Sequence, residues 1–137
     1  MLSAFGVFNA SILIIDDKEA NVLLLERMLR GAGYAAITST MDPHVMCDLH
    51  RQNRYDLILL DLQMPAMDGF QVMADLKGIE RDGYLPVMVI IAQPQHKLHA
   101  LQFGAKDFIS KPFELPEVLM RTSLEIRLLL PENTIAQ

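Results

Sequence analysis

Ile12-Leu13-Ile14-Ile15-Asp16-Asp17 and Leu57-Ile58-Leu59-Leu60-Asp61 decide how this chain folds. Each is a run of four branched apolar residues that stops on acid. An unbroken apolar run of that length reads as a strand buried on both faces, the kind found in parallel α/β sheets. Charge at the end of such a strand lies at the carboxyl edge of the sheet, where open α/β folds keep their ligand sites. Three carboxylates gathered there repel one another unless a hard divalent cation sits among them. Oxygen-only ligands suit Mg²⁺, which commonly binds beside a phosphoryl group. The pattern points to phosphoryl chemistry.

Outward from these two runs, apolar segments alternate with amphipathic ones. Lys18–Ala32 places Val22, Leu25, Leu29 and Ala32 on one helical stripe, closed by Gly33. A short second strand is expected over Tyr34–Thr38. Asp42-Pro43 gives an N-cap and a first-turn proline for a helix to about Gln52. The third strand covers Tyr55–Leu60. A helix from Asp68-Gly69 through Lys77 follows, which Gly78 helps to end. The fourth strand is Pro86–Ile91, then comes a short helix Lys97–Phe103, and the fifth strand is Ala105–Ile109. The last helix covers Glu114–Leu130, with Pro116 in its first turn and Pro131 as its stop. This is (βα)₅ with short connections, so right-handed crossovers give a doubly wound α/β sandwich. Periodicity does not fix the strand order. The flavodoxin-like order 2-1-3-4-5 is chosen because it brings Asp16, Asp17 and Asp61 together at a switch point.

Composition narrows the classes. At 137 residues the chain fits one domain, and 51% apolar content excludes intrinsic disorder. No apolar run reaches the ~20 residues of a membrane span, and no secretory signal is visible at the start. A lone cysteine, Cys47, makes no internal disulfide and fits a reducing cytoplasm. Net charge is −5 without a basic block, which argues against direct nucleic-acid binding and gives no reason to expect a membrane partner. Residues 1–10 read as an N-terminal extension, 11–130 as the domain, and 131–137 as a tail or the start of a linker.

Taken together, Ile14–Asp17, Leu59–Gly69 and Gly104–Phe113 resemble the receiver domain of bacterial two-component response regulators, over about Ser11 to Leu129. The resemblance implies that Asp61 accepts a phosphoryl group from the phosphohistidine of a histidine kinase or phosphotransfer protein. It implies Mg²⁺ on Asp16, Asp17, Asp61 and the Gln63 backbone carbonyl, and Lys111 paired with the phosphoryl oxygens. It also implies a cis peptide before Pro112. The protein is then a regulated module, capable of self-phosphorylation and slow autodephosphorylation but not a turnover enzyme. An aspartyl-phosphate hydrolase typically carries a second aspartate where Gln63 stands. A dinucleotide site would want a glycine-rich turn in place of Asp16-Asp17-Lys18-Glu19.

Departures from the family pattern lie after the fourth strand. Receivers usually place threonine or serine at the position of Ile91, followed by a small residue, here Ala92. The loop Ala92–Lys97 is about two residues shorter than is common and contains Pro94. Phe108 takes the aromatic position that usually moves inward when the hydroxyl bonds the phosphoryl group. Ile91, Ala92 and Phe108 are therefore the expected switch positions, with an altered relay. The alternative reading is a receiver-like interaction scaffold with weakened phosphate-dependent switching. His44, His50, His96 and His99 lack a third metal ligand or a phosphodonor setting, and Cys47 and the nine methionines read as packing residues. The apolar end of the last helix, with Leu124 and Ile126–Leu130, offers more apolar positions than one face buries. It suggests a dimer seam or a linker. With Glu19–Leu25, it looks like receivers fused to cyclic-di-GMP-handling or kinase-type output domains.

Overall fold

A computed structural model describes residues 8–63, 69–80, 86–93, 95–102 and 104–129, and the side chains of residues 96, 99, 128 and 129 are not among those described. Its strands are β1 (Ile12–Ile15), β2 (Ile37–Thr40), β3 (Leu57–Asp61), β4 (Val87–Ile91) and β5 (Asp107–Ser110). Between them run α1 (Glu19–Ala32), a 3₁₀ turn (Pro43–Val45) leading into α2 (Met46–Asn53), α3 (Gly69–Ile79) and α4 (His96–Gln102), and α5 (Leu115–Leu129) follows β5. All strand pairs are parallel, and the order is β2-β1-β3-β4-β5.

The apolar runs make this sheet because each strand serves two cores. Leu13 and Ile15, Ile58 and Leu60, and Val87, Val89 and Ile91 face one layer with Met46, Val72, Met73, Leu76 and Ala100. Ile12 and Ile14, Leu57 and Leu59, and Met88 and Ile90 face the other, with Leu25, Leu29, Val118 and Ile126. Alternation of side chains along a strand sends successive residues to opposite faces. Helices α2, α3 and α4 therefore cover one face and α1 and α5 the other. Asp42 caps the 3₁₀ turn as expected, its Oδ1 accepting from His44 N–H at 2.9 Å. Cys47 is half-buried against the first core.

Strands β2, β3 and β5 start two or three residues later than the apolar pattern suggests, and β2 and β5 do so for one reason. Tyr34 was expected to open β2, but it closes α1: Gly33 turns left-handed at φ 116°, and Gly33 and Tyr34 donate N–H bonds to Arg30 and Leu29 carbonyls, both 3.1 Å. Tyr34 is buried as part of that helix end. At β5 the same arrangement recurs, with Gly104 at φ 105° and the Gly104 and Ala105 N–H groups bonded to Leu101 and Ala100, again 3.1 Å. In both places an apolar residue after a capping glycine belongs to the helix terminus. The third helix also runs through Gly78 to Ile79, where a stop was expected. Ile126 is fully buried against the sheet and so is not part of a spare apolar face, whereas Leu124 is exposed. Leu128–Leu130 lie outside the described side chains.

Gly69 starts α3 hard against the residue after the acidic strand. A Cβ there would lie 2.6 Å from Leu62 Cδ2 and 3.2 Å from Leu62 Cα. Gly69→Ala is expected to lower stability by about 1–3 kcal/mol through this overpacking, although alanine favours helix. A urea midpoint equal to or above that of the wild type would contradict the close approach.

Candidate functional site

The carboxyl ends of β1 and β3 are neighbours, with Ile15 opposite Leu60 in register. The chain therefore has to bring Asp16, Asp17 and Asp61 together. One carboxylate oxygen from each lies within 4.8 Å of the others. Asp16 and Asp61 are fully buried and Asp17 is half-buried. Asp61 is held at both oxygens: Oδ1 accepts from the Gln63 N–H at 3.0 Å and Oδ2 sits 3.1 Å from Lys111 Nζ. Lys111 comes from the end of β5, where its N–H bonds the Ile91 carbonyl at 2.9 Å. The Lys111–Pro112 peptide is cis. Asp61 and Lys111 thus project from the ends of separate strands of one rigid sheet.

Electrostatics ask for a further cation. Two ionised carboxylate oxygens within 4.8 Å of one another repel by at least roughly 3 kcal/mol at an effective dielectric of about 20. Fully ionised, the three acids and one ammonium leave two negative charges, the deficit a divalent ion fills. Asp16 Oδ1 accepts from the Lys18 N–H at 3.0 Å, but Asp16 Oδ2 and Asp17 Oδ1 are buried without a hydrogen-bond partner. Burial, opposed by the Lys18 N–H and reinforced by the Asp61 charge, pushes the Asp16 carboxyl up to about 6. Orphaned buried oxygens in an all-oxygen cluster are the donor set a hard divalent cation takes. The residues present fit Mg²⁺.

The other positions singled out from sequence fall as follows. Gln63 is half-buried just past β3. Ile91 is buried in the same core layer as Leu60 and Val89, Ala92 is exposed beyond it, and Phe108 is half-buried beside that layer. Asp68, Pro94 and Phe103 lie outside the described residues. His44 is exposed. His50 is buried, with Nδ1 accepting from the Tyr55 N–H at 3.1 Å and Nε2 2.6 Å from Glu80, so both ring nitrogens are used within the fold. Sequence reading did not anticipate that pair. The histidine–glutamate spacing carries no local signal, because the partners meet only when α3 returns beside α2. Glu125, buried near Asp107 with its carboxyl pushed above the usual range by burial first and then by Asp107, was likewise not visible.

Comparison with known proteins agrees with this arrangement. Residues 12–123 match the family model for the response regulator receiver domain. The chain belongs to that family. Over 108 residues, 77% of the chain, it is 39% identical to the response regulator PleD of Caulobacter vibrioides, and spans 24% of that protein's length. Over 118 residues, 85% of the chain, it is 38% identical to the DNA-binding dual master transcriptional regulator RpaA of Synechocystis, and spans 48% of it. The fold superposes on the receiver domain of sensor histidine kinase PA1611 from Pseudomonas aeruginosa, solved with magnesium coordinated in the active-site cleft. There the TM-score is 0.76 at 27% identity, covering 86% of this chain and 98% of that one. Among the described residues, no helix is long and apolar enough to cross a membrane.

Proposed function

We propose that Asp61 takes a phosphoryl group from a phosphohistidine and that the resulting acyl phosphate regulates an output. The observation that supports this best is the buried Asp61 carboxylate, ion-paired with Lys111 and crowded by Asp16 and Asp17. An Asp61 oxygen attacks phosphorus, the P–N bond breaks, and the departing imidazole nitrogen keeps the electron pair and takes up a proton. The Gln63 N–H holds one carboxylate oxygen, which orients Asp61 for attack. Lys111, a flexible point charge, moves from the carboxylate to the incoming phosphoryl oxygens and neutralises their charge. Asp16 and Asp17, with the Gln63 carbonyl and Asp61, would hold Mg²⁺, which when bound would supply positive charge to offset that of the phosphoryl oxygens. Slow loss of the group by hydrolysis resets the module; no turnover substrate is involved. The phosphodonor is a histidine kinase or phosphotransfer protein, and the output is a fused or separate domain, in keeping with relatives much longer than this chain.

Intact mass after incubation with acetyl phosphate and Mg²⁺ tests this reading. One added phosphate is expected, absent in Asp61→Asn and absent with a chelator. Label that survives both treatments would place the acceptor elsewhere. Asp17→Ala is expected to weaken Mg²⁺ binding at least tenfold through loss of an anionic oxygen ligand, measured by titration calorimetry.

A further inference from the structure

Among its described side chains, helix α4 (His96–Gln102) packs little against the domain. Of its described side chains, only Ala100 is buried, while Leu98 and Leu101 are 65% and 42% exposed. At its first turn, however, Lys97 Nζ lies 4.7 Å from the centroid of the Phe108 ring on β5. Arg121 of α5 places its guanidinium carbon at the same distance from the same ring. Arg121 is in turn fixed by Asp107, with Nη1 2.6 Å from Oδ1, and lies 3.5 Å from Glu117. Asp107 Oδ1 also accepts the Phe108 N–H at 2.8 Å, so the anchor and the ring share one backbone position.

We propose that Phe108 is a latch that ties α4 to α5 through two cations, and that this latch governs how firmly α4 stays docked. A cation over an aromatic ring is attracted by its quadrupole, with a strength that grows as the pair is desolvated. On the α5 side the arginine is braced by two carboxylates. Of the two cations, Lys97 is the member that can leave, because it stands on a helix with one buried side chain among those described. The helix that would be released begins at His96, five positions after Ile91 at the end of β4, the strand paired with β3, which carries Asp61. The latch therefore sits between the strand end beside the candidate site and a helix whose described side chains are mostly exposed.

Amide hydrogen exchange on the whole chain tests it, read separately over α4 and α5. Lys97→Met keeps the apolar stem and removes the charge, and Phe108→Leu keeps bulk and removes the ring. Each is expected to speed α4 exchange about two- to fivefold. The double variant is expected to be no faster than the faster single, since both remove the same Lys97–Phe108 contact. Lys97→Arg and Phe108→Tyr are expected to restore wild-type protection in α4. Exchange in α5 is expected to stay unchanged in Lys97→Met. Unchanged α4 exchange in Lys97→Met, or multiplicative effects in the double variant, would overturn the latch. If Phe108→Leu disturbs the whole fold, the Lys97→Met and Lys97→Arg pair still decides.

Discussion

Asp16→Asn is expected to make the metal-free protein more stable at pH 7.5, by about 2–3 kcal/mol, while abolishing tight Mg²⁺ binding. Asp16 is fully buried, one of its oxygens has no partner, and its carboxyl is raised from 3.8 to about 6. A carboxyl raised on folding keeps its proton longer in the native state than in the unfolded chain. Between about pH 4 and 6 the native state therefore binds more protons, and stability falls as pH rises through that window. Above it, the whole cost of the buried charge is present, of order 3 kcal/mol for a shift of this size. Asparagine carries no charge, yet its carbonyl oxygen can still accept the Lys18 N–H. The difference between variant and wild type should therefore be large at pH 7.5 and close to zero at pH 4. Magnesium acts in the opposite direction. A ligand bound only by the native state adds about 2.7 kcal/mol at a hundredfold excess over Kd. It should do so for the wild type and much less for the variant, so saturating Mg²⁺ closes the gap. Urea unfolding at the two pH values, with and without Mg²⁺, gives the four numbers needed. A variant less stable than wild type at pH 7.5 without metal would mean that Asp16 is a structural anchor and that the acidic cluster is not strained.

That strain explains why the site was so legible in the sequence. Asp16-Asp17 and Asp61 end apolar runs in which nothing polar would otherwise be tolerated, and acids at buried strand ends are costly unless they serve a purpose. The strand order followed from asking which arrangement gathers them. Element boundaries were less legible where two kinds of apolar residue look alike. Tyr34 and Ala105 are apolar because they pack beneath a helix terminus, not because they stand in a strand, and only the left-handed glycines Gly33 and Gly104 distinguish the cases. Long-range polar pairs such as His50 with Glu80, and the two cations on Phe108, leave no local periodicity, so they became visible only with the folded chain.

Ile91→Thr is expected to turn a local response to phosphoryl mimicry into one that spreads across the domain. The receiver pattern places a hydroxyl residue at this position, where it donates a hydrogen bond to a phosphoryl oxygen. A bond to a charged acceptor contributes about 1.5–3 kcal/mol, enough to bias a two-state equilibrium roughly ten- to a hundredfold. Isoleucine has no donor. In this chain it is 2% exposed and packed with Val89, Ala100, Ala105 and Phe108, so it acts as the last residue of a buried strand. Phe108 is further occupied by Lys97 and Arg121, which gives the ring a reason to stay where it is. Both features are expected to confine the response to a phosphoryl group on Asp61. Threonine in place of Ile91 supplies the donor at a cost of about 1–3 kcal/mol in lost packing, which the added phosphoryl contact offsets only in the loaded state. Amide NMR shifts before and after adding beryllofluoride with Mg²⁺ read the outcome. In the wild type, changes are expected to stay around Asp16, Asp61 and Lys111. In Ile91→Thr they are expected to extend through Ala92, Gln93 and α4 to Phe108. Equally wide changes in the wild type would show that this domain switches without the hydroxyl, through packing at Ile91 itself.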